Sequence, residues 1–398
     1  MNKQLVILLS IVFIDLLGFG IVIPLLPQLI SDLGQGPFVV GLIIGLYSLF
    51  QFLFSPILGR LSDKYGRKPV LLFSTIINVA GYGLLFFSHS IWMIAIARIL
   101  SGIGTANLSV VQAYVADTSE SHERTKRMSL IASMFGLGFI FGPFVGGATA
   151  SAYNINTPFL LTALFSAINA LFIFFLLPES NKLLKKHIKI ELVNINVMRE
   201  VLNPPNIRFL IFLFFLSSFS LALIIGVLPL FTAERFGWGE AENGYFFMAI
   251  GIAQFFTQAF GIRYLLKYFR ETRLVKYGLI VFGLSNVGIG LAINEPLLLL
   301  AGGISAVGFG LMNSNLQSLI SLESKPEEQG AVLGVAQSLS ALARVVGPII
   351  GGALASWHLN FPYYASAIFI VFILVWGWKK LSFTEYEVFG KKKLTPNK

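Results

Sequence analysis

The chain has 398 residues, 56% of them hydrophobic and only 12% charged, with a net charge of +10. So little charge cannot cover a soluble core of this size, which points to a polytopic helical membrane protein and away from a soluble enzyme. There is no cysteine, so disulfides, thiolate metal sites and cysteine nucleophiles are excluded.

Twelve apolar segments run along the chain, each close to the roughly 20 residues that cross a bilayer as helix. They cover about 5–30, 39–59, 69–88, 91–115, 127–149, 157–177, 208–232, 241–265, 274–293, 296–320, 330–354 and 361–383. The first is too long for the apolar core of a signal peptide and lacks an A-x-A-like site, so it reads as a transmembrane helix. His89, His122, His187 and His358 fall near predicted loops without partners at ligand spacing. Neither a metal site nor a cofactor is expected.

Lysine and arginine alternate between the connections. After spans two, four, six and eight come Arg60, Lys64, Arg67 and Lys68; then Arg124, Lys126 and Arg127; then Lys182, Lys185, Lys186, Lys189, Arg199 and Arg208; then Arg263, Lys267, Arg270 and Arg273. The tail adds Lys379, Lys380 and Lys391 to Lys393, whereas the connections after odd spans contain only Arg235. Short cytoplasmic loops collect such residues. The pattern predicts a multi-pass protein of the cell (inner) membrane with both termini cytoplasmic. It also makes the basic balance a matter of topology rather than of nucleic-acid binding. The longest connection divides the chain into a six-helix bundle at 1–178, a cytoplasmic linker at 179–207, and a second six-helix bundle with a cytoplasmic tail at 208–398. The linker, with "NKLLKKHIKIE" and Pro204-Pro205, reads as a tether that is in part an interfacial helix on membrane lipids.

The two halves are related. "VGLIIGLYSLFQFLFSPILGRLSDKYGR" aligns with "NGYFFMAIGIAQFFTQAFGIRYLLKYFR", matching Gln51 with Gln254, Arg60 with Arg263 and Arg67 with Arg270. "FGPFVGG" matches "VGPIIGG", and Gln112 matches Gln317 in the same register. Two parallel repeats of six helices place a substrate site near the midplane, with access alternating as the halves rock.

"GRLSDKYGRKP" at 59–69 resembles the loop signature between helices two and three of the major facilitator superfamily. "RILSGIG" resembles the helix-four motif of that family, and "GLGFIFGPFVGG" the helix-five motif of its drug:proton antiporters. "FIDLLGFGIVIPLLPQL", "FTAERFGW" and "EEQGAVLG" resemble the tetracycline-exporter branch of the twelve-span exporters. The resemblance implies an all-α fold of two pseudo-symmetric six-helix bundles. It also implies a latch made of Gly59, Asp63, Gly66, Arg67, Lys68 and Asp117, with Asp63 capping the start of span eleven and Arg67 pairing with Asp117. Positive-inside topology alone accounts for Arg60, Lys64 and Lys68, but not for Asp63 or the two glycines. Gly138, Gly142 and Gly146, with Pro143 and Gly147, form a smooth face for close helix approach and permit a bend.

Three ionisable groups lie well inside spans: Asp15, Arg98 and Arg344. Each is costly there and is a functional candidate by default. Asp15 is the expected proton carrier, with Arg98 as its modulating partner; the alternatives are a static Asp15–Arg98 pair or a helix-packing hydrogen bond. Polar candidates for a substrate cavity are Gln51, Asn107, Gln112, Gln254, Asn286, Asn313, Asn315 and Gln317, with Arg344, each also explicable as an interhelical bond. The tetracycline exporters carry further acids in helices three and nine. Here Gly81 stands where the first would align, and 277–293 holds no acid. Two interior cations against one acid favour neutral, zwitterionic or anionic amphiphiles over a cationic metal–drug chelate.

The expected function is proton-coupled transport of a small molecule by a monomer, with export by antiport favoured by the helix-five motif. A proton symporter importing a nutrient fits the same fold, and a membrane receptor without transport is the third reading. No nucleophile–base pattern or phosphate loop supports an enzyme.

Overall fold

The protein's structure, a computed structural model, describes residues 3–181, 195–325 and 328–390. Lys182, Lys185, Lys186, Lys189 and His187 of the connection, Glu327, and the Lys391–Lys393 run lie outside the described residues, as does most of the expected interfacial segment. The described residues form helices and no strand. They fall into two compact units, residues 1–193 with 229–248, and residues 194–228 with 249–398.

In the first unit, α1 (Lys3–Asp32), α2 (Pro37–Tyr65) and α3 (Arg67–Phe86) are followed by α4 (Ile91–Gly104), α5 (Leu108–Thr118), α6 (Ser121–Ala152) and α7 (Thr157–Leu176). Local chemistry sets the ends. Pro37 and Pro158 occupy first-turn positions where no amide bond is lost. Ser90 caps α4 by accepting from the Met93 amide at 3.3 Å. Gly66 reverses the chain between α2 and α3 with a φ of 104°, a conformation that glycine tolerates.

The glycine face of α6 lies along α1. Methyl groups built on Gly138, Gly142 and Gly146 would meet Leu16, Leu17 and Gly20, and Ile21 of α1. The other glycine of the motif, Gly147, touches Gly244 and Glu240 of α11 (Glu240–Phe256), whose first turns belong to this unit. Without side chains between them, the backbones come close enough for dispersion to hold them, which in lipid replaces the hydrophobic drive.

The fourth span departs from the single helix expected over 91–115: it breaks between α4 and α5 at 105–107. Gly102 and Gly104 press α4 against the Tyr47 carbonyl and the Asn78 backbone. The Thr105 hydroxyl then bonds the Ser101 carbonyl at 2.9 Å, and the Asn107 amide bonds the Gly104 carbonyl at 3.1 Å. Side chains thus satisfy backbone groups near the break.

The second unit contains α8 (Ile195–Val201), α9 (Pro205–Ile225), the later turns of α11 (Glu240–Phe256) and α12 (Ile262–Leu265), with α13 (Glu271–Gly290), α14 (Glu295–Glu323), α15 (Gln329–Ala355) and α16 (Phe361–Gly390). The remaining helix, α10 (Leu228–Phe236), completes the seventh span and packs mostly with the first unit. Between α11 and α12 a π-helical turn spans Thr257–Gly261, so the eighth span is also irregular. Along α15, Gly347 meets Ala222 and Gly351 meets Leu223 of α9, repeating the contact of α6 with α1.

Eleven described helical segments are long and apolar enough to cross a membrane. The twelfth predicted span is α13, whose average is diluted by Arg273, Lys276 and Asn286. Lys276 is buried, with its ammonium 4.7 Å from the Trp378 ring centroid. These are the helices of the twelve-span architecture expected from the sequence.

Candidate functional site

Asp15 sits half-buried on α1. Its Oδ1 accepts a 2.8 Å hydrogen bond from Nδ2 of Asn78 on α3, and Asn107, at the break in span four, faces the same carboxylate. Asn107 also donates to Ser74 at 3.3 Å. The carboxylate is therefore held by neutral amides.

Arg98 is nearly fully buried on α4, with its guanidinium carbon 4.2 Å from the centre of the Tyr47 ring. No ion pair joins it to Asp15 among the described residues. Tyr82 lies within electrostatic reach of both groups, with its hydroxyl against the guanidinium but outside hydrogen-bond geometry. Gly18 makes room for it, because a methyl there would run into the phenol. Arg98 Nε and Nη1, the Tyr82 hydroxyl, Ser101 Oγ and Asn78 Oδ1 are buried without hydrogen-bond partners among the described residues. Such groups are rare in protein cores.

Gln51 joins the same neighbourhood from α2. Its amide reaches the Thr105 hydroxyl at 3.3 Å and the Tyr47 hydroxyl at 3.4 Å, and the two hydroxyls are 2.8 Å apart. Gln51, Tyr47 and Thr105 thus meet at the joint of span four, and Tyr47 in turn faces Arg98. Gly81 is pressed on Ser101, where a methyl would lie 2.5 Å from its Oγ and 2.8 Å from its amide nitrogen. No acid can replace this glycine without moving α4.

At the opposite end of α3, Arg67 is buried between two carboxylates. Its Nη1 is 2.6 Å from Asp63 Oδ1, and its Nε is 3.0 Å from Asp117 Oδ2 at the end of α5. Nη1 also donates to Ser62 at 2.6 Å. Lys68 Nζ caps the Phe174 carbonyl of α7 at 2.8 Å. Gly66 abuts the Glu179 carboxylate, while a methyl group built on Gly59 would lie 3.3 Å from the Ser109 hydroxyl. Glu179, which no sequence motif marks, accepts from the backbone amides of Arg67 at 2.8 Å and Lys68 at 3.0 Å, capping α3. A lone Pro-Glu-Ser acid at the head of a basic connection was the available signal. Tyr82 and Asn78 were missed for another reason. They are neutral residues, and only their three-dimensional neighbours give them meaning.

The second unit distributes its polar residues differently. Asn286 is buried, donates to Ser366 at 2.9 Å and accepts from Ser305 at 3.3 Å. Buried Asn315 bonds its own helix at Leu311. Gln317 is half-buried and 3.5 Å from Gln337 of α15. Half-buried Asn313 and Gln254, like exposed Gln112 of the first unit, form no side-chain hydrogen bond among the described residues. Arg344 is exposed near the middle of α15 and donates to Ser340 at 3.2 Å, and Ser340 donates to Ser218 of α9 at 2.9 Å.

The sequence profile described as Major Facilitator Superfamily matches residues 8–276 and 210–396. The chain belongs to the Major Facilitator Superfamily. This superfamily member is 32% identical to "Tetracycline resistance protein, class D" of Salmonella ordonez, over 88% of this chain and 89% of that protein. It is 31% identical to "Multidrug resistance protein 1" of Bacillus subtilis (strain 168), over 92% and 93% respectively. Among solved structures it resembles a bacterial homologue of the human lysosomal transporter Spinster, with a TM-score of 0.77 over 99% of this chain and 98% of that one. At 13% identity the latter likeness shows the fold alone. The protein is thus a multi-pass membrane transporter of small molecules and not an enzyme.

Proposed function

We propose that this protein is a monomeric antiporter that exports drug-like amphiphilic molecules in exchange for protons, with both termini in the cytoplasm. The observation that carries the reading is Asp15. It is the one acid well inside a span, it is held by Asn78, and it lies near Tyr82, which neighbours Arg98. A carboxylate tied to neutral amides rather than to a fixed cation is suited to take up and release a proton as its surroundings change.

The relatives named for tetracycline and multidrug resistance support export as the direction. The alternation of Lys and Arg along the connections supports the orientation. The Asp63–Arg67–Asp117 cluster, with Glu179 behind it, serves as a latch that stiffens the connection of α2 and α3 in one stage of the cycle. Gly81 argues against tetracycline as the cargo, because the position has no room for an acid.

The test is substrate-induced proton release in inside-out vesicles carrying a pH gradient, wild type beside Asp15→Asn. Release with wild type and none with the variant is expected. Full proton-coupled transport by Asp15→Asn would sink the assignment. In a pump-deficient host, protection from the transported compounds is expected, and sensitisation would mean import.

A further inference from the structure

We infer that Arg344 anchors the anionic group of the cargo, so that the second unit selects amphiphiles bearing a carboxylate or a group of like geometry. This rests on the export reading above and names the cargo's chemistry.

The face of α15 that carries Arg344 is unlike a lipid-facing surface. Gly330, Gly334, Gln337, Ala341 and Arg344 follow one another at helical spacing, and none is a large apolar residue. By contrast α16 shows lipid-facing character, exposing Ile368, Val371, Phe372 and Val375. A cation near the middle of a span is stable where it fronts water or polar groups rather than hydrocarbon. A stripe of this composition suits a helix face turned to an aqueous path.

The site is built rather than incidental. Ser340 receives the guanidinium at 3.2 Å and is itself fixed by Ser218 at 2.9 Å, so the arginine is steered from behind by α9. Two turns along the same stripe, Gln337 meets Gln317 of α14 at 3.5 Å and offers amides to a second polar group. In α9, α13, α14 and α15 acids occur only as the first or last residue, at Glu271, Glu295 and Glu323. A guanidinium matches a planar carboxylate with paired, charge-assisted bonds, which an ammonium or an ester cannot reproduce.

The experiment titrates the purified full-length protein in detergent with dansyl-aminooctanoic acid, its methyl ester and the matching primary amine, reading Kd from fluorescence anisotropy. The acid is expected to bind roughly tenfold or more tighter than the ester, the amount one charge-assisted bond supplies. Arg344→Gln is expected to bring the acid to the ester's Kd, and Arg344→Lys to retain part of the preference. The acid–ester comparison on wild type needs no variant. Equal binding of acid and ester, no binding of the acid, or a preference that survives Arg344→Gln overturns the site.

Proton release in inside-out vesicles separates the two readings. Release driven by the acid in wild type and lost in Arg344→Gln supports the site. Release with the ester or amine alone overturns the site and leaves antiport standing. No release with any compound counts against antiport, and the binding titration then decides Arg344 by itself.

Discussion

Replacing Gly142 with alanine is expected to force α1 away from α6 and to weaken both stability and transport. The added methyl would lie 2.6 Å from the Leu17 carbonyl oxygen and 2.8 Å from the Gly20 Cα. Carbon atoms rest at roughly 3.5 Å or more, so the helices must part by about 1 Å. Both obstacles are backbone, and no side chain can rotate aside. Overpacking of this kind costs about 1–3 kcal/mol. Gly146→Ala is milder, because its methyl would meet Ile21 Cα at 3.1 Å. Gly303→Ala has nothing within 4 Å and is the control. The assay is thermal unfolding of detergent-solubilised protein, followed by loss of the monodisperse peak of a fluorescent fusion. The expected order of destabilisation is Gly142, then Gly146, with Gly303 neutral. Asp15 lies two residues before Leu17 on α1, so the same shift strains its 2.8 Å bond from Asn78, and substrate-driven proton release should fall with stability. A Gly142→Ala protein as stable as Gly303→Ala would refute the idea that backbone proximity holds α1 in place.

Four further outcomes are expected. Gly81→Asp, which places an acid where the resemblance to the tetracycline exporters would align one, should fail to accumulate as folded protein; normal yield with a monodisperse profile would show that α4 can yield. Glu179→Ala should cost about 1 kcal/mol in thermal unfolding through loss of the α3 cap, with Glu179→Gln less affected, and equal melting of all three proteins would count against the cap. Arg67→Lys should slow transport while expression stays normal, because an ammonium cannot reproduce fork-like bonds to two carboxylates that are worth about 1.5–3 kcal/mol each; wild-type rates would remove the latch. Tyr82→Phe should leave melting almost unchanged, since the buried hydroxyl lacks a hydrogen-bond partner among the described residues, yet alter the pH–rate profile of proton release. Superimposable profiles would take Tyr82 out of the coupling.

The architecture is legible in the sequence because bilayer thickness imposes a length that helices must meet. The predicted spans consequently fall on the observed helices to within a few residues at most ends. The proximity of Arg67 and Asp117, 3.0 Å apart, is what the resemblance of the 59–69 loop implies; composition and spacing alone do not give it. Irregularities within spans are harder to read. The break at 105–107 follows Gly102 and Gly104, whose contacts with α2 and α3 only the fold supplies, and the π-turn at Thr257–Gly261 has no proline ahead of it in α11. Arg98 makes the limit plain. Depth along the helices suggests a partnership with Asp15, whereas the fold gives the arginine a tyrosine face and holds the acid by amides. Distance along a helix is written in the sequence; which way two side chains turn is decided by their neighbours.

The break in the fourth span divides one crossing into two stiff rods. The first, α4, carries Arg98, and the second, α5, carries Asp117 and so touches the Arg67 cluster. Thr105 at the joint is tied to Gln51 and to Tyr47, whose ring lies against Arg98. A continuous helix would transmit any tilt undiminished from one end to the other. A jointed one can tilt at its two ends by different amounts, with the Thr105 hydroxyl, 2.8 Å from that of Tyr47, placed at the joint.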